Sequence, residues 1–175
     1  MKNSFSIRQA ELKDAEDLIN TYYSYYDEFI DTSHLRITLF KNKPGIKDEI
    51  AWFFNNYKRK LEGELIMLVP EVNGKAVGLC TVEKLSPGTF MEHIGRLGIS
   101  IRLEYRYRGA GYVLIEQAIK ESEGRFEQLM LTVFEDNNIA INLYKRFGFK
   151  EFGVLPKAVK VNEKYISVIY MHRLL

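Results

Sequence analysis

The spacing of apolar residues changes part-way along the chain, and this change limits the folds that it can adopt. Apolar residues recur at helical spacing over 15–26 and again over 47–61, which predicts two helices early in the chain. From residue 65 onward, short β-rich runs interleave with further helical stretches. Strands and helices mixed in this way, with no internal repeat or Pro-rich linker, predict a single domain over 1–175. Its class is α+β (mixed α/β), with one central sheet flanked by helices.

Turn residues mark the ends of several predicted elements. Asn73-Gly74 separates two β-rich runs and is the strongest two-residue signal for a hairpin. Gly148 follows the helical stretch 137–147 and predicts a left-handed end to that helix. The segment 27–45 has mixed character and is predicted to be a loop. The predicted strands are 5–10, 65–72, 76–84, 93–101, 129–135, 149–161 and 164–175, and the remaining helix is 111–122.

Composition and charge exclude several classes of protein. Lys and Arg number 25 against 23 for Asp and Glu, so the net charge of +2 gives no electrostatic reason to expect binding to nucleic acid. The single cysteine, Cys80, excludes an internal disulfide and a cysteine-rich zinc site. No run approaches about 18 consecutive apolar residues, and the start of the chain lacks the apolar segment of a secretory signal. We therefore expect a cytoplasmic protein that does not contact a membrane.

A glycine-containing turn lies between a predicted strand and a predicted helix. The turn reads Arg106-Tyr107-Arg108-Gly109-Ala110-Gly111. Glycines let backbone N–H groups approach a ligand closely, and the start of a helix adds unpaired N–H donors and the positive end of its dipole. These features favour a site for phosphate groups. The turn lacks the Gly-Lys-Ser/Thr of a Walker loop and the third glycine of a dinucleotide fingerprint.

Two patterns together resemble those of the GNAT superfamily of acyl-CoA-dependent N-acetyltransferases. Arg106, Gly109 and Gly111 match the phosphate-loop pattern Arg/Gln-x-x-Gly-x-Gly/Ala of that family. The family pattern Asn-x-x-Ala-x-x-Leu-Tyr-x-x-x-Gly-Phe follows after one helix and one strand, as it does in the family. Its positions here are Asn137, Ala140, Leu143, Tyr144, Gly148 and Phe149.

The resemblance implies a fold, a cosubstrate and a set of site residues. The fold would be a mostly antiparallel sheet of about seven strands, in which the parallel strands 96–101 and 129–135 splay apart to admit acetyl-CoA. The pantetheine arm would pair with the main chain of the first of these strands, the pyrophosphate would lie on the amides of the glycine-containing turn, and no metal would take part. The implied cofactor-binding residues are Ile99, Ser100, Ile101, Arg106, Tyr107, Arg108, Gly109, Ala110, Gly111, Asn137 and Tyr144.

The resemblance also implies catalytic roles. An amine would attack the thioester, a strand N–H near Ile99 or Ile101 would stabilise the oxyanion, and the hydroxyl of Tyr144 would protonate the leaving thiolate. Many relatives carry a glutamate as general base where this chain has Arg96. Glu92 and His93 lie just upstream, and either could act as the base through a water molecule.

The identity of the acceptor stays open at this point. Asp27, Glu28 and Asp31 border the expected acceptor site and could attract a cationic amine. A cleft closed by the segment 27–45 would favour a small amine or amino acid, whereas an open groove would favour a protein N-terminus or lysine. Some relatives with a similar tail have Arg and Asp where this chain has Pro156 and Ser167. The expected partners are acetyl-CoA and an amine acceptor, with a homodimer left open; the alternative function is a non-catalytic acyl-CoA-binding module.

Overall fold

A computed structural model describes residues 5–32 and 34–175 of the chain, so the first four residues and Ser33 of the predicted loop lie outside the described part. A central sheet has the strand order β1-β2-β4-β5-β6-β8-β7, with the short β3 paired to β2. The strands are β1 (Ser6–Gln9), β2 (Leu65–Val72), β3 (Lys75–Ala76), β4 (Gly78–Lys84), β5 (Ile94–Ile101), β6 (Gln128–Phe134), β7 (Lys150–Val161) and β8 (Lys164–Leu174). The α+β class with one mostly antiparallel sheet is confirmed.

In the described part of the chain, four α-helices accompany the sheet: α1 (Ala15–Thr32), α2 (Ile46–Leu61), α3 (Ala110–Ser122) and α4 (Asn138–Arg146). Helix α1 continues six residues beyond the predicted end at Tyr26, so the beginning of the predicted loop is wrong. The side chain of Glu28 is buried against the rest of the domain, and the Thr32 hydroxyl donates to the Glu28 carbonyl at 2.7 Å. Contacts between distant parts of the chain therefore extend this helix beyond its apolar stripe.

The helices cover the two faces of the sheet in pairs. Helices α3 and α4 pack on one face, where Leu114 and Ile141 share a buried cluster with Leu97 and Leu131 of the sheet. On the other face, Leu18 of α1 and Phe53 of α2 form a second cluster with residues of β2. Successive residues of a strand point to opposite faces, so each strand contributes side chains to both layers.

Local turn chemistry follows the sequence. Asn73 and Gly74 both have positive φ, 52° and 77°, as a two-residue type I′ hairpin requires. Gly148 has φ 79° at the end of α4, so the predicted left-handed helix end is also confirmed. Within residues 5–32 and 34–175, no helix combines the length and apolar character needed to cross a membrane.

Strands β5 and β6 form the parallel pair of the sheet, and they separate along their length. Their pairing extends only over Ile94–Arg96 and Gln128–Met130. Strand β5 nevertheless continues to Ile101 and stays paired with β4 throughout, while β6 stays paired with β8 up to Phe134. Each strand is therefore held by its outer neighbour while a gap opens between them, which confirms the predicted splay.

Candidate active site

The gap between β5 and β6 widens into a cleft of about 1040 Å³. Its walls come from β4, β5 and β6, from the first residues of α3, and from α4. Residues 36–38 of the connection between α1 and α2 and Trp52 of α2 line it on the other side of the sheet. The cleft thus joins two regions that lie on opposite faces, and we call them the cofactor half, beside α3 and α4, and the acceptor half, beside α1 and α2.

The backbone of β5 supplies hydrogen-bonding groups to the cleft. Leu85 N–H donates to the Ile94 carbonyl at 2.8 Å, and Arg102 N–H donates to the Val77 carbonyl at 3.0 Å. Alternate residues of an antiparallel strand bond to the same neighbour, so the even-numbered residues of β5 pair with β4. The main chain of Ser100, an expected cofactor contact, therefore pairs with β4. Ile99 has the opposite orientation and directs its N–H and carbonyl into the gap.

Ile101 also faces the gap, but a tyrosine occupies its backbone groups. The hydroxyl of buried Tyr25 donates to the Ile101 carbonyl at 2.9 Å and accepts from the Ile101 N–H at 2.8 Å. Of the two strand N–H groups expected to stabilise an oxyanion, only that of Ile99 therefore remains available. Nothing in the sequence singled out Tyr25 from its neighbouring tyrosines, because its partner is 76 residues away.

The side chain of Arg106 is committed inside the protein. Its guanidinium forms two contacts with the Glu28 carboxylate, at 2.9 and 2.8 Å, and its Nε donates to the Ile101 carbonyl at 2.7 Å. The ring of Tyr25 lies 4.7 Å from the guanidinium carbon. Burial opposes the charge on Arg106, but the hydrogen bond that it donates to Glu28, together with the electrostatic attraction of Glu28 and Tyr25, outweighs burial and raises the guanidinium pKa. Glu28 therefore neutralises the Arg106 guanidinium, and the pair ties the turn to α1.

The start of α3 provides backbone donors on the cofactor half. Gly109 precedes the helix with φ +94°, a conformation that disfavours any other residue. The next N–H groups open the helix and have no intrahelical acceptor, which leaves them for a ligand. A Cβ on Gly111 would lie 3.2 Å from the Leu143 side chain, so this glycine permits α3 to pack closely on α4. Tyr107 and Arg108 are exposed beside this helix start.

Tyr144 and Asn137 both line the cleft from the second motif. Tyr144 is buried, its ring packs edge-on against Phe149 at 5.9 Å, and burial raises the pKa of its hydroxyl. The hydroxyl is therefore protonated at neutral pH, as a proton donor must be. The side-chain oxygen of Asn137 accepts from Ala140 N–H at 3.3 Å and caps α4, which leaves its amide nitrogen available for another partner.

These features fit acetyl-CoA. A strand edge with a free N–H and carbonyl can pair with the amides of an extended pantetheine arm. The start of α3 offers donors and a positive dipole end to a diphosphate. Among residues 5–32 and 34–175, no group of three His, Cys, Asp or Glu side chains is placed to hold a metal ion.

Comparison with known proteins agrees with this geometry. Residues 18–149, about three quarters of the chain, match the family model described as Acetyltransferase (GNAT) family. The chain belongs to the GNAT family. The splayed strands and both motifs, Arg106–Gly111 and Asn137–Phe149, lie within the matched residues.

Curated relatives carry acetyltransferase names. The chain is 31% identical over 108 residues to the L-amino acid N-acetyltransferase AaaT of Escherichia coli, covering 61% of this chain and 66% of the relative. It is 28% identical over 162 residues to an N-alpha-acetyltransferase of Sulfurisphaera tokodaii, covering 86% of this chain and 83% of the relative. The chain spans just under two thirds of the length of the E. coli relative.

Solved structures share the fold at low identity. A ribosomal-protein-alanine N-acetyltransferase from Brucella melitensis superposes with a TM-score of 0.81 at 22% identity, covering 97% of this chain and 99% of that one. A phosphinothricin acetyltransferase from Sinorhizobium meliloti in complex with acetyl-CoA gives 0.81 at 17% identity, covering 100% and 89%. At these identities the likeness establishes the GNAT fold.

The structure does not bring Glu92 and His93 to the cleft of this GNAT domain. Both precede β5 at its N-terminal end, whereas the cleft opens toward its C-terminal end. Glu92 is exposed and pairs with Lys84 at 2.9 Å, and the His93 ring contacts the Phe90 carbonyl at 3.0 Å. His93 borders a separate pocket beside Leu174. Neither residue lies with Tyr144, which removes the geometric support for the expected water-mediated base.

The acceptor half contains charged residues that the sequence did not single out. Glu83 of β4 lies opposite Arg96 of β5 in the strand register and pairs with it, and Arg59 of α2 binds the same carboxylate at 2.8 Å. Burial opposes the charge on Glu83, but hydrogen bonds from Arg96 and Arg59 outweigh it and lower the carboxyl pKa. Glu83 is therefore a carboxylate held by two cations, which weakens it as a base. On this side Arg36 and Trp52 also line the cleft.

Proposed function

We propose that this GNAT domain transfers an acetyl group from acetyl-CoA to a primary amine by direct attack of the amine on the thioester. The observation that carries the proposal is one cleft that joins the free N–H of Ile99, the hydroxyl of Tyr144 and the start of α3. An acyl donor held by the first and third of these would have its sulfur near the second. The alternative, a binding module without catalysis, would have no use for a proton donor at that position.

Each group has a defined task in the proposed reaction. Acetyl-CoA supplies an activated carbonyl carbon and a thiolate leaving group. The amides at the start of α3 bind the diphosphate, and the Ile99 N–H donates to the carbonyl oxygen as negative charge develops on it. Asn137, held by its cap to α4, contacts the cofactor arm with its amide nitrogen.

Tyr144 completes the reaction by giving its proton to the departing thiolate. Burial keeps this proton on the hydroxyl until a stronger base than water is present. The acceptor must first give a proton to solvent to become the neutral amine, and an α-amine needs less help than a lysine because its pKa is about 8 rather than about 10.4. The nitrogen loses a second proton as the amide forms, which balances the proton that restores the Tyr144 hydroxyl. Position 96 holds an arginine and not the glutamate that would serve as general base, which favours an α-amine as the acceptor.

The names of two relatives support the same class of acceptor. One is an L-amino acid N-acetyltransferase and the other an N-alpha-acetyltransferase. We propose that this chain likewise acetylates an α-amine, either of a free amino acid or of a polypeptide N-terminus. Residues 36–38 line the acceptor half of the cleft and narrow the space available there.

The test is an acceptor panel with acetyl-CoA, in which free thiol release and acetylated product are both measured. Transfer to an α-amine faster than to a lysine side chain is the expected result. Binding of acetyl-CoA without transfer to any amine would instead identify a binding module. Failure to bind acetyl-CoA at all would overturn the proposed function.

A further inference from the structure

The acceptor half of the cleft carries more positive than negative charge. Glu83 is the partner of both Arg96 and Arg59, and Glu28 is the partner of both Arg106 and Arg36. Glu64, which is 60% exposed, also approaches Arg59 at 3.8 Å, so four guanidinium groups face three carboxylates. The unbalanced positive charge belongs to the Glu28 cluster, where two arginines share one carboxylate.

Three of these arginines line the cleft, and the third of them, Arg106, is only 14% exposed and is committed to Glu28. Arg96 and Arg36 both line it, and their side chains are 57% and 34% exposed. Arg36 is the more weakly held partner of Glu28, because its Nε lies 3.4 Å from a carboxylate that Arg106 already contacts at 2.8 Å. Arg59 lies outside the cleft lining, and Arg106 is held by Glu28, so Arg96 and Arg36 are the arginines most available to an acceptor.

We propose that Arg96 and Arg36 bind the carboxylate of an amino acid acceptor, so that this enzyme acetylates free α-amino acids rather than polypeptide N-termini or polyamines. The proposal rests on the proposed function and names its substrate class. A guanidinium presents several donors in one plane and matches a carboxylate with two parallel hydrogen bonds. Both guanidinium groups line the cleft on the side of the sheet that faces α1 and α2.

The charge surplus also bears on the amine. A nearby positive charge disfavours a second one, so the acceptor amine is more often in its neutral form than it would be without that charge. That neutral form is the one that attacks the thioester. The structure does not support the expectation that Asp27, Glu28 and Asp31 attract a cationic amine. Glu28 is buried in an ion pair, and Asp27 and Asp31 are exposed and do not line the cleft.

The first experiment compares acids with their amides. The twenty protein L-amino acids, their carboxamides, putrescine and an alanine-initiated peptide are each supplied with acetyl-CoA, and kcat and KM are measured. An amide keeps the α-amine and lacks only the carboxylate. We expect the best amino acid to exceed its own amide by roughly tenfold or more in kcat/KM, as loss of a charge-assisted hydrogen bond implies. An amide, putrescine or the peptide equal to or better than every acid would overturn the proposal.

The second experiment assigns the recognition to the cleft arginines. Arg96→Gln should raise KM for the best amino acid by roughly 10–100-fold and change kcat/KM for its amide by less than about threefold. Arg36→Gln should act in the same direction, and Arg96→Lys should restore part of the loss. Arg59→Gln is the matched control, because it removes a charge from the same Glu83 cluster at a residue that does not line the cleft.

The outcomes separate this inference from the proposed function. Equal losses for acid and amide in Arg96→Gln would indicate a structural role and overturn carboxylate binding, while acetyl transfer itself would stand. Equal effects of Arg96→Gln and Arg59→Gln would do the same. Absence of transfer to every amine would overturn the proposed function and this inference with it.

Discussion

The two halves of the cleft are built in different ways. The cofactor half consists mainly of backbone groups: the strand edge at Ile99 and the first amides of α3. The acceptor half consists of side chains that come from distant parts of the sequence, among them Arg36, Glu83 and Arg96. Backbone geometry is shared by chains of one fold, whereas side chains vary freely. From this difference we expect the first half to bind the cosubstrate that the family shares and the second half to select the acceptor.

Tyr144 lies where the two halves meet, and its removal should have the largest effect. Tyr144→Phe deletes one hydroxyl and almost no volume, so packing against Phe149 survives. We expect kcat to fall by roughly 10²–10⁴-fold, the usual contribution of a general acid, with acetyl-CoA affinity within about fivefold of the parent. Pre-steady-state kinetics measures the change in turnover, and calorimetric titration measures the acetyl-CoA affinity.

Control variants and pH sharpen this prediction. Tyr57→Phe removes a hydroxyl from α2 outside the cleft and should leave turnover unchanged. Because burial raises the pKa of Tyr144, its deprotonation should cause no loss of kcat below about pH 10, the ordinary tyrosine value. Parent-like turnover in Tyr144→Phe would show that another group supplies the proton.

The ion pair between Glu28 and Arg106 connects the two halves, and breaking it should have the next largest effect. Glu28→Gln leaves a buried guanidinium without its counter-charge, which typically costs about 3–5 kcal/mol of unfolding free energy. Urea denaturation measures the loss, and acetyl-CoA affinity should fall with it because the turn loses its anchor to α1.

Asp31→Asn, on the exposed side of the same helix, is the control for that experiment. It should change the unfolding free energy by no more than about 0.5 kcal/mol. Equal stability of Glu28→Gln and Asp31→Asn would mean that the pair contributes nothing net, and that the turn keeps its position by backbone contacts alone.

A substitution at Gly111 tests the cofactor half of the cleft directly. In Gly111→Val the Cβ would press on Leu143 at 3.2 Å and lie 3.5 Å from Ile101, so α3 must shift away from α4 and β5. We expect acetyl-CoA affinity to fall by roughly tenfold, about 1.4 kcal/mol, while unfolding stays cooperative. Gly153→Val on β7, where a Cβ meets nothing within 4 Å, should leave the affinity as it is. Calorimetric titration decides, and unchanged affinity in Gly111→Val would contradict the expected role of the helix start.

The smallest effect concerns salt. Since Glu28 neutralises Arg106, the long-range attraction of the cofactor phosphates should come from exposed residues such as Arg108 and Arg146. We expect acetyl-CoA affinity to fall only about threefold between roughly 0.05 and 0.5 M salt, because exposed charges are screened over about 8–10 Å. Arg108→Gln should reduce this dependence. A dissociation constant that does not change with salt concentration would show that backbone amides bind the phosphates without help from side-chain charge.

Several features of the protein could be predicted because they are local. Helical and strand spacing located the elements, Asn73-Gly74 located a hairpin, and Gly148 marked a position that needs positive φ. The two motifs located the cofactor half. Such features depend on a few neighbouring residues and on backbone conformation, which the sequence specifies directly.

The remaining features depend on which distant residues meet. Two contacts join residues 76 and 78 positions apart: Tyr25 binds the backbone of Ile101, and Glu28 neutralises Arg106. The length of α1 depends on the same contacts. Glu83 meets Arg59 and Arg96 across 24 and 13 positions, and the course of β5 keeps Glu92 and His93 away from the cleft. The type of a residue limits the partners that it can bind, but only the packing of helices on the sheet determines which partner it meets. The sequence therefore determines the family and the half of the site made from backbone, and the fold selects the partners that shape the half made from side chains.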